Sequence, residues 1–528
     1  MKQKLLTILN DHFNREVVVE KPKDKSFGHF ATPIAFSLAK ELRRSPMQIA
    51  DELCTAFNGN DMFESVDAIK GYLNFRLSAK FLDEYASWAL SHEEQFGAQE
   101  KNESILLEFV SANPTGPLHI GHARGAVFGD ILLRLGRHLG YKMSAEYYVN
   151  DAGNQIDLLG LSLALEGQSS LLNQHVDWPE KYYRGEYLDT LAKDAAKKFG
   201  SEIFNDETRY KELALWAKDR VLELIVSDMS DANIKFDTYV SEASLYNQTD
   251  LVMKQLKDNG ALEEIDGKLW LKSSEHGDEK DRVVIREDGR ATYLAGDIIY
   301  HNQKFERGFD HYINIWGADH HGYIARVKAS IKLLGYNQNK LEVLLSQMVS
   351  LLKDGQPYKM SKRAGNVILM SDIVDEIGAD ALRFIFASKK SDTALEFDVE
   401  DLKKQDSSNP VFYINYAHAR IFTLIAKSQF TTEQIEAQDL KELSETEANL
   451  LFEALLLPEV LDDAFHSRGV QKLSDYLKAL ASGMHRFYAE NKIIGSENEL
   501  RYLKLFTVVA LSIRVGLNIM GIKALERM

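Results

Sequence analysis

Two histidines three residues apart, His119 and His122, open a stretch whose helical periodicity runs to about residue 139. On a helix such a pair shares one face, and a helix N-terminus favours anions through its free N–H groups and partial positive charge. Gly121, Gly125 and Gly129 recur every four residues, leaving a stripe where a flat group can approach the backbone. Pro114, Gly116 and Pro117 stiffen the loop in front. A second cluster, Lys359-Met360-Ser361-Lys362-Arg363, follows Lys353-Asp354-Gly355 and ends at Gly365. Three cations on a glycine-bounded loop suit a negative charge that forms transiently and is then released. Read singly, each cluster has a plain alternative: surface histidines beside a tightly packed glycine face, and a solvated basic loop. A metal reading of the histidines lacks a third ligand. No Gly-x4-Gly-Lys-Ser/Thr occurs, nor a Gly-x-Gly-x-x-Gly after the first sheet strand, so kinase, GTPase and dehydrogenase readings lose their main support.

The elements that must position these groups follow from pattern and turn chemistry. An apolar run at 105–110 has the length of a buried strand, residues 111–117 form a turn-rich loop, and the helix follows. Strand, Gly/Pro loop and helix is how a parallel nucleotide-binding α/β sheet begins. A further strand at 145–149 ends in Asn150 and Asp151. The sheet is expected to resume with 283–285, an Asp288-Gly289 turn and 291–294, since Asp-Gly between apolar runs signals a hairpin. Another strand, 312–316, ends at Gly317-Ala318-Asp319-His320-His321. That places Asp319 at the sheet's carboxyl edge, where such folds bind ligands, and sends neighbouring histidines to opposite faces of a strand. Residues 1–98 read as a small α+β domain, with a helix at 34–42 and a strand at 71–77. Residues 99–160 and 280–400 read as the parallel-sheet domain, and 161–279 as a mostly helical insertion. Residues 401–528 read as all-helical, with Leu473, Tyr476, Leu477, Leu480, Met484 and Phe487 on one face.

Composition narrows the class. The 528 residues suggest three or four domains, and 45% hydrophobic with 27% charged residues is an ordinary globular balance. One cysteine, Cys54, excludes an internal disulfide framework and a multi-cysteine zinc site, and it fits a reducing compartment. A net charge of −16 excludes a uniformly basic nucleic-acid binder, while a local basic groove remains compatible with it. The apolar run 505–513, bracketed by Lys504 and Arg514, is much shorter than the ~20 residues of a membrane span. The first residues turn polar too early for a secretory signal. A cytoplasmic, soluble chain is expected.

Taken together, His119-Ile120-Gly121-His122 and Lys359-Met360-Ser361-Lys362 resemble the signature pair of class I aminoacyl-tRNA synthetases. Longer stretches are similar to the arginyl-tRNA synthetase family of bacterial type: 108–125, 148–155, Thr292-Tyr293-Leu294-Ala295-Gly296-Asp297, 316–322 and 413–420. The resemblance runs from about residue 20 to the last residue, with 161–279 the least distinctive part. It implies an α/β, Rossmann-type catalytic domain with an insertion, preceded by a small α+β domain and followed by an all-helical anticodon-binding domain. By the same resemblance, His119 and His122 contact the ATP phosphates, Gly121 lets adenine lie against the helix, and Lys359 and Lys362 hold the leaving pyrophosphate. Met360 and Ser361 also belong to the ATP site, and Asp319 is assigned to the ATP ribose. Glu108, Tyr293 and Asp297 are expected to hold arginine's guanidinium, and Asn113 its amino or carboxylate end. A cation that is always charged asks for acceptors; from periodicity alone, Glu108 equally fits a solvent-facing edge strand. ATP enters as a substrate with Mg²⁺, and no zinc is expected. The expected partner is the tRNA for arginine, with no membrane, and the chain is expected to be a monomer. Tyr413 and Tyr416 are candidates for stacking on anticodon bases, although their spacing also fits core packing. The N-terminal domain, with Phe27-Gly28-His29-Phe30, is expected to touch the outer corner of the tRNA.

Overall fold

The computed structural model describes residues 1–358 and 367–528. Lys359, Met360, Ser361 and Lys362 therefore lie outside the described residues. Two compact units emerge: residues 100–404 with 520–522, and residues 1–99 with 405–519 and 523–528.

The first unit is built on a five-stranded parallel sheet, ordered Leu341–Ser346, His311–Gly317, Ser104–Glu108, Lys142–Val149 and Thr238–Ser241. Ser104–Glu108 is the middle strand, and burial on both faces explains its continuous run Ile105, Leu106, Leu107. Its register sets Glu108 beside Asn314 on one neighbour and Glu146 on the other. The helix Ile120–His138 follows this strand, as the sequence pattern implies. The outer strand Thr238–Ser241 comes from within the stretch 161–279.

One expectation is corrected. Residues 283–285 do not continue the parallel sheet; Arg282–Ile285 completes a separate antiparallel sheet with Leu262–Ile265 and Lys268–Leu271. The Asp288-Gly289 turn does form, with Gly289 at φ 78° and its N–H donating to Arg286 O at 2.9 Å. Its return arm is only the bridge Ile285–Ala291, because Thr292 then caps the helix Tyr293–Glu306 by accepting the Ala295 N–H. Apolar runs flanking an Asp-Gly turn marked a hairpin but carried no information on which sheet would take it.

The glycine stripe also divides. A Cβ on Gly129 would stand 2.4 Å from the Phe109 ring, whereas one on Gly125 would meet Ser346 at an ordinary 3.8 Å. Gly129 therefore serves packing, and only the Gly121 end of the stripe is exposed. Gly129→Ala is expected to lower stability by about 1–2 kcal/mol, overpacking against a fixed ring outweighing the helix-propensity gain of about 1 kcal/mol. A lowered midpoint in thermal or denaturant unfolding checks this.

The second unit joins the small antiparallel sheet Phe30–Thr32, Tyr72–Leu77 and Phe63–Ile69 to a bundle that includes Pro410–Lys427, Glu445–Leu455, Gln471–Glu490 and Glu499–Ile519. The stripe Leu473, Tyr476, Leu477, Leu480, Met484 and Phe487 is buried, as its spacing predicts. Glu499–Ile519 is long and apolar enough to cross a membrane, a longer apolar helix than the run 505–513 suggested, but 78% of its most apolar window is buried inside the protein. His29 and Phe30 face inward. The His29 ring lies 4.2 Å from that of Phe452, its Nδ1 accepts the Leu77 N–H at 2.9 Å, and burial pushes its pKa down to about 4. Within the Phe27–Phe30 motif these two side chains bind the small sheet to the bundle and are not available to a tRNA surface. Tyr413 and Tyr416 share a surface cluster around His485, with Arg420 over the Tyr416 ring at 4.4 Å.

Candidate functional site

His119 is the N-cap of the helix Ile120–His138, and its Nδ1 accepts the Gly121 N–H at 3.1 Å. His122 reaches back, its Nδ1 accepting the His119 N–H at 3.5 Å, so two histidines form a reciprocal cap of the kind usually made by Ser/Thr and Glu. The rings stack with centroids 3.7 Å apart. Burial, with His119 nearby, pushes the His122 pKa down to about 3, and burial also lowers that of His119. Both rings are therefore neutral near pH 7. With Nδ1 accepting in each, the proton belongs on Nε2, which makes the pair two fixed N–H donors at a helix N-terminus. Such donors stabilise a developing anion through preorganisation, without carrying a full charge themselves.

The loop that carries them is anchored. Ile120 N–H donates to Ile368 O and Met370 N–H to Leu118 O, both at 2.9 Å, and His119 bridges Leu369. Residues 368–370 therefore lie directly alongside the loop that carries the histidines. The Tyr358 N–H donates to Leu351 O at 2.8 Å and its hydroxyl donates to Glu376 at 2.5 Å.

A second feature lies at the carboxyl end of the same strands. A cavity of about 300 Å³ is lined by Glu108, Tyr148, Glu242, Tyr293, Asp297 and His320, among others. Val110 and Ser111 turn the chain at its rim with φ 69° and 44°. Left-handed backbone is costly for a β-branched residue and is held here by Ser111, whose hydroxyl donates to Glu108 at 2.9 Å and accepts from the Tyr148 N–H at 3.2 Å.

Glu108 is 5% exposed and faces the cavity from the middle strand, so the solvent-facing reading is excluded. It is already paired with the fully buried Lys304, whose ammonium also donates to Asn314 Oδ1 at 2.8 Å. Asp297 has no such partner. Burial, then Glu242 and Glu108, push its carboxyl up to about 7 against a weaker opposing pull from Arg326. Tyr293 stands 61% exposed at the mouth. Asn113 is exposed on the loop before the histidines and Asp319 is exposed beyond the end of its strand; neither lines the cavity. His320 and His321 lie in a 3₁₀ turn, Ala318–Tyr323, so the opposite-face argument for a strand does not apply to them. His320 lines the cavity, and His321 is exposed.

Sequence reasoning missed Lys304 and Glu242. Lys304 had a signal: Asp297, Tyr300, His301 and Lys304 recur at helical spacing on one face. Glu242 had none, being a lone acid in the least distinctive stretch.

Comparison with known proteins places the chain in a family. Residues 86–423 match the catalytic domain of class I (R) tRNA synthetases, 414–528 the DALR anticodon binding domain, and 1–77 the arginyl tRNA synthetase N-terminal domain. An arginine–tRNA ligase of Sulfurimonas denitrificans is 65% identical over 521 residues, covering 99% of this chain and 98% of its own. One from a Nitratiruptor species is 62% identical over the full length of both. A crystal structure of an arginyl-tRNA synthetase from Campylobacter jejuni superposes with TM-score 0.83 at 58% identity, covering 86% of this chain and 100% of that one. The Thermus thermophilus enzyme shares the fold at TM-score 0.80 and 21% identity, covering 100% of both chains. A neutral donor pair at a helix N-terminus, an acidic cavity at the carboxyl end of the parallel strands and this full-length likeness lead to one assignment: the chain belongs to the arginyl-tRNA synthetase family of class I tRNA synthetases.

Proposed function

We infer that the protein is an arginine–tRNA ligase, the reading carried by a buried acidic cavity at the same sheet edge as a helix N-terminus that presents two neutral histidine donors. In the first step arginine's carboxylate attacks the α-phosphate of MgATP. The α–β phosphoanhydride bond breaks, and pyrophosphate leaves with its electron pair. In the second, a hydroxyl of the terminal tRNA ribose attacks the arginyl carbonyl, and AMP departs. Both steps ask for positioning and charge stabilisation more than for a proton relay.

The proposed roles follow from local chemistry. His119 and His122 donate Nε2–H to phosphate oxygens as charge builds on them, and Gly121 leaves the helix start bare for adenine. Lys359 and Lys362 take the pyrophosphate, with Met360 and Ser361 completing that loop, and Asp319 takes the ribose. Asp297, Tyr293 and Glu108 form the guanidinium side of the arginine site and Asn113 the backbone end. Mg²⁺ would enter with ATP and supply charge neutralisation to its phosphates, and no zinc takes part. We propose that residues 99–160 and 280–400 perform catalysis around the insertion 161–279. Residues 1–98 then grip the tRNA body and 401–528 its anticodon, in a cytoplasmic monomer not bound to membranes.

Charging of total bacterial tRNA with each of the twenty labelled amino acids, in the presence of ATP and Mg²⁺, tests the reading. Arginine alone is expected to become acid-precipitable. Charging by another amino acid, or by none, overturns it. Lys362→Ala is expected to slow activation by about tenfold or more, a loss of at least about 1.4 kcal/mol of transition-state stabilisation, with arginine affinity nearly kept. Single-turnover charging with arginine titration separates the two effects.

A further inference from the structure

We propose that Tyr187 and Asp228, both within residues 161–279, are positioning residues for the histidine pair, fixing the loop 111–118 that sets where His119 and His122 stand. The proposal rests on reading those histidines as donors to the ATP phosphates.

Pro114 and Pro117 have no N–H to donate, so the loop depends on bonds from its neighbours. Three side chains supply them. At its start the buried Tyr147, on the parallel sheet, donates its hydroxyl to Ala112 O at 2.8 Å. At its middle the Tyr187 hydroxyl donates to Thr115 O, also at 2.8 Å. A Cβ on Gly116 would stand 3.5 Å from that hydroxyl, an ordinary contact, so the ring covers the loop without crowding it. At its end the Leu118 N–H donates to the Asp228 carboxylate, while Leu118 O accepts from the Met370 N–H at 2.9 Å. The next residue is His119, the helix cap.

Packed helices hold both anchors. Tyr187 lies in the first turn of Glu186–Phe199 and Asp228 in the last turn of Tyr210–Asp231. Both helices pack on Asn154–Ser170, the second so closely that a Cβ on Gly160 would stand 2.7 Å from Tyr210 O. The helix Tyr210–Asp231 also packs on Met370–Ile377, so the Leu118 peptide is gripped at its N–H and its carbonyl by two helices that touch each other. Asp228 stands where an acid is costly. It is 6% exposed, its Oδ2 is buried with no hydrogen-bond partner, and burial, then Asp231, push its carboxyl up to about 6 against the pull of the Leu118 N–H. A buried acid satisfied on one side only lowers stability. Stability therefore does not account for Asp228, whereas its bond to the residue before His119 does.

The experiment is ATP–pyrophosphate exchange with arginine, run with tRNA present. Tyr187→Phe, which removes only the hydroxyl, is expected to slow exchange by about tenfold with the arginine KM unchanged, since small misplacements of reacting groups are costly. Asp228→Ala is expected to do the same. Asp228→Asn keeps an acceptor for the Leu118 N–H and is expected to stay within about threefold of the parent. Because Asp228→Ala removes a half-satisfied buried acid, its unfolding midpoint is expected not to fall, as it would if the residue served structure alone. A double-variant cycle shows whether the loss runs through the histidines. His122→Gln keeps the reach back to the His119 N–H but removes the ring donor, and in that background Tyr187→Phe is expected to cost less than about twofold more. Exchange unchanged in Tyr187→Phe or in Asp228→Ala, equal losses in Asp228→Asn and Asp228→Ala, or the same loss with His122 replaced overturns the proposal. Should Asp228→Ala not accumulate, Tyr187→Phe and its cycle decide. If His122→Gln alone leaves exchange unchanged, the reading of the histidines falls, and not the role of the two anchors alone.

Discussion

Asp297→Asn is expected to lower kcat/KM for arginine by about 10²–10³, equivalent to about 3–4 kcal/mol, while leaving tRNA affinity and the KM for ATP near their original values. The magnitude comes from where the carboxylate sits. A guanidinium paired with a carboxylate in water gains little, but in a partly enclosed cavity walled by protein the same pair is less screened, and losing one partner leaves the other unsatisfied. The amide keeps shape and one acceptor, so the loss reports charge more than packing. The pH dependence has a definite sign. The carboxyl is pushed up to about 7 in the absence of a ligand, first by burial and then by Glu242 and Glu108. Below that pH the site is increasingly protonated, and a cation must expel the proton to bind. The kcat/KM for arginine is therefore expected to fall by up to about tenfold per unit as pH drops below 7. That limb should be absent from Asp297→Asn. Steady-state charging between pH 5.5 and 8.5 checks both statements. The same raised pKa makes Asp297 a cost to folding stability above pH 7, since the native chain holds its proton more tightly than the unfolded chain does. A bound guanidinium removes that cost, so arginine should raise the melting temperature more at pH 8 than at pH 6.

How much of this was legible beforehand depends on whether the physics was local. The helix Ile120–His138 was legible because its start is written in a turn-rich loop and its body in a continuous apolar period. The strand Ser104–Glu108 was legible from length and composition, and its central place in the sheet follows from burial on both faces. Partner choice was not local. Arg282–Ile285 has strand composition, but its pairing with Lys268–Leu271 depends on contacts that no window of sequence carries. The candidate site shows the same division. His119 and His122 announce themselves by spacing, yet their mutual cap and shared tautomer depend on backbone geometry at a helix start. The left-handed Val110 has no sequence signal at all, since a valine there contradicts local preference and is held by the strand end and Ser111. Phe27–Phe30 misled for a related reason: a histidine between aromatics is as good a packing element as a surface for RNA, and His29 proved to be the former.

Glu108→Gln is expected to cost about 3–5 kcal/mol of stability, because it leaves the fully buried Lys304 ammonium without its anion. Asn314 Oδ1, at 2.8 Å, is a dipole and cannot replace that charge. The two single variants and the double variant Glu108→Gln/Lys304→Met form a cycle in which the double variant should recover most of the loss, since removing both charges removes the unpaired one. Denaturant midpoints followed by a probe in residues 100–404 measure this without assuming that the whole chain unfolds in one step. The cycle also separates two functions that one carboxylate could serve. If Glu108 touches arginine directly, both Glu108→Gln and the stable double variant use arginine poorly, with tRNA affinity retained. If Glu108 acts by holding Lys304, and with it the helix that presents Asp297, the double variant regains arginine use along with stability. The first outcome is expected, since Glu108 lines the cavity together with Asp297 and Tyr293. In that case the middle strand contributes an acid of its own to the arginine site, beside Asp297 and Tyr293.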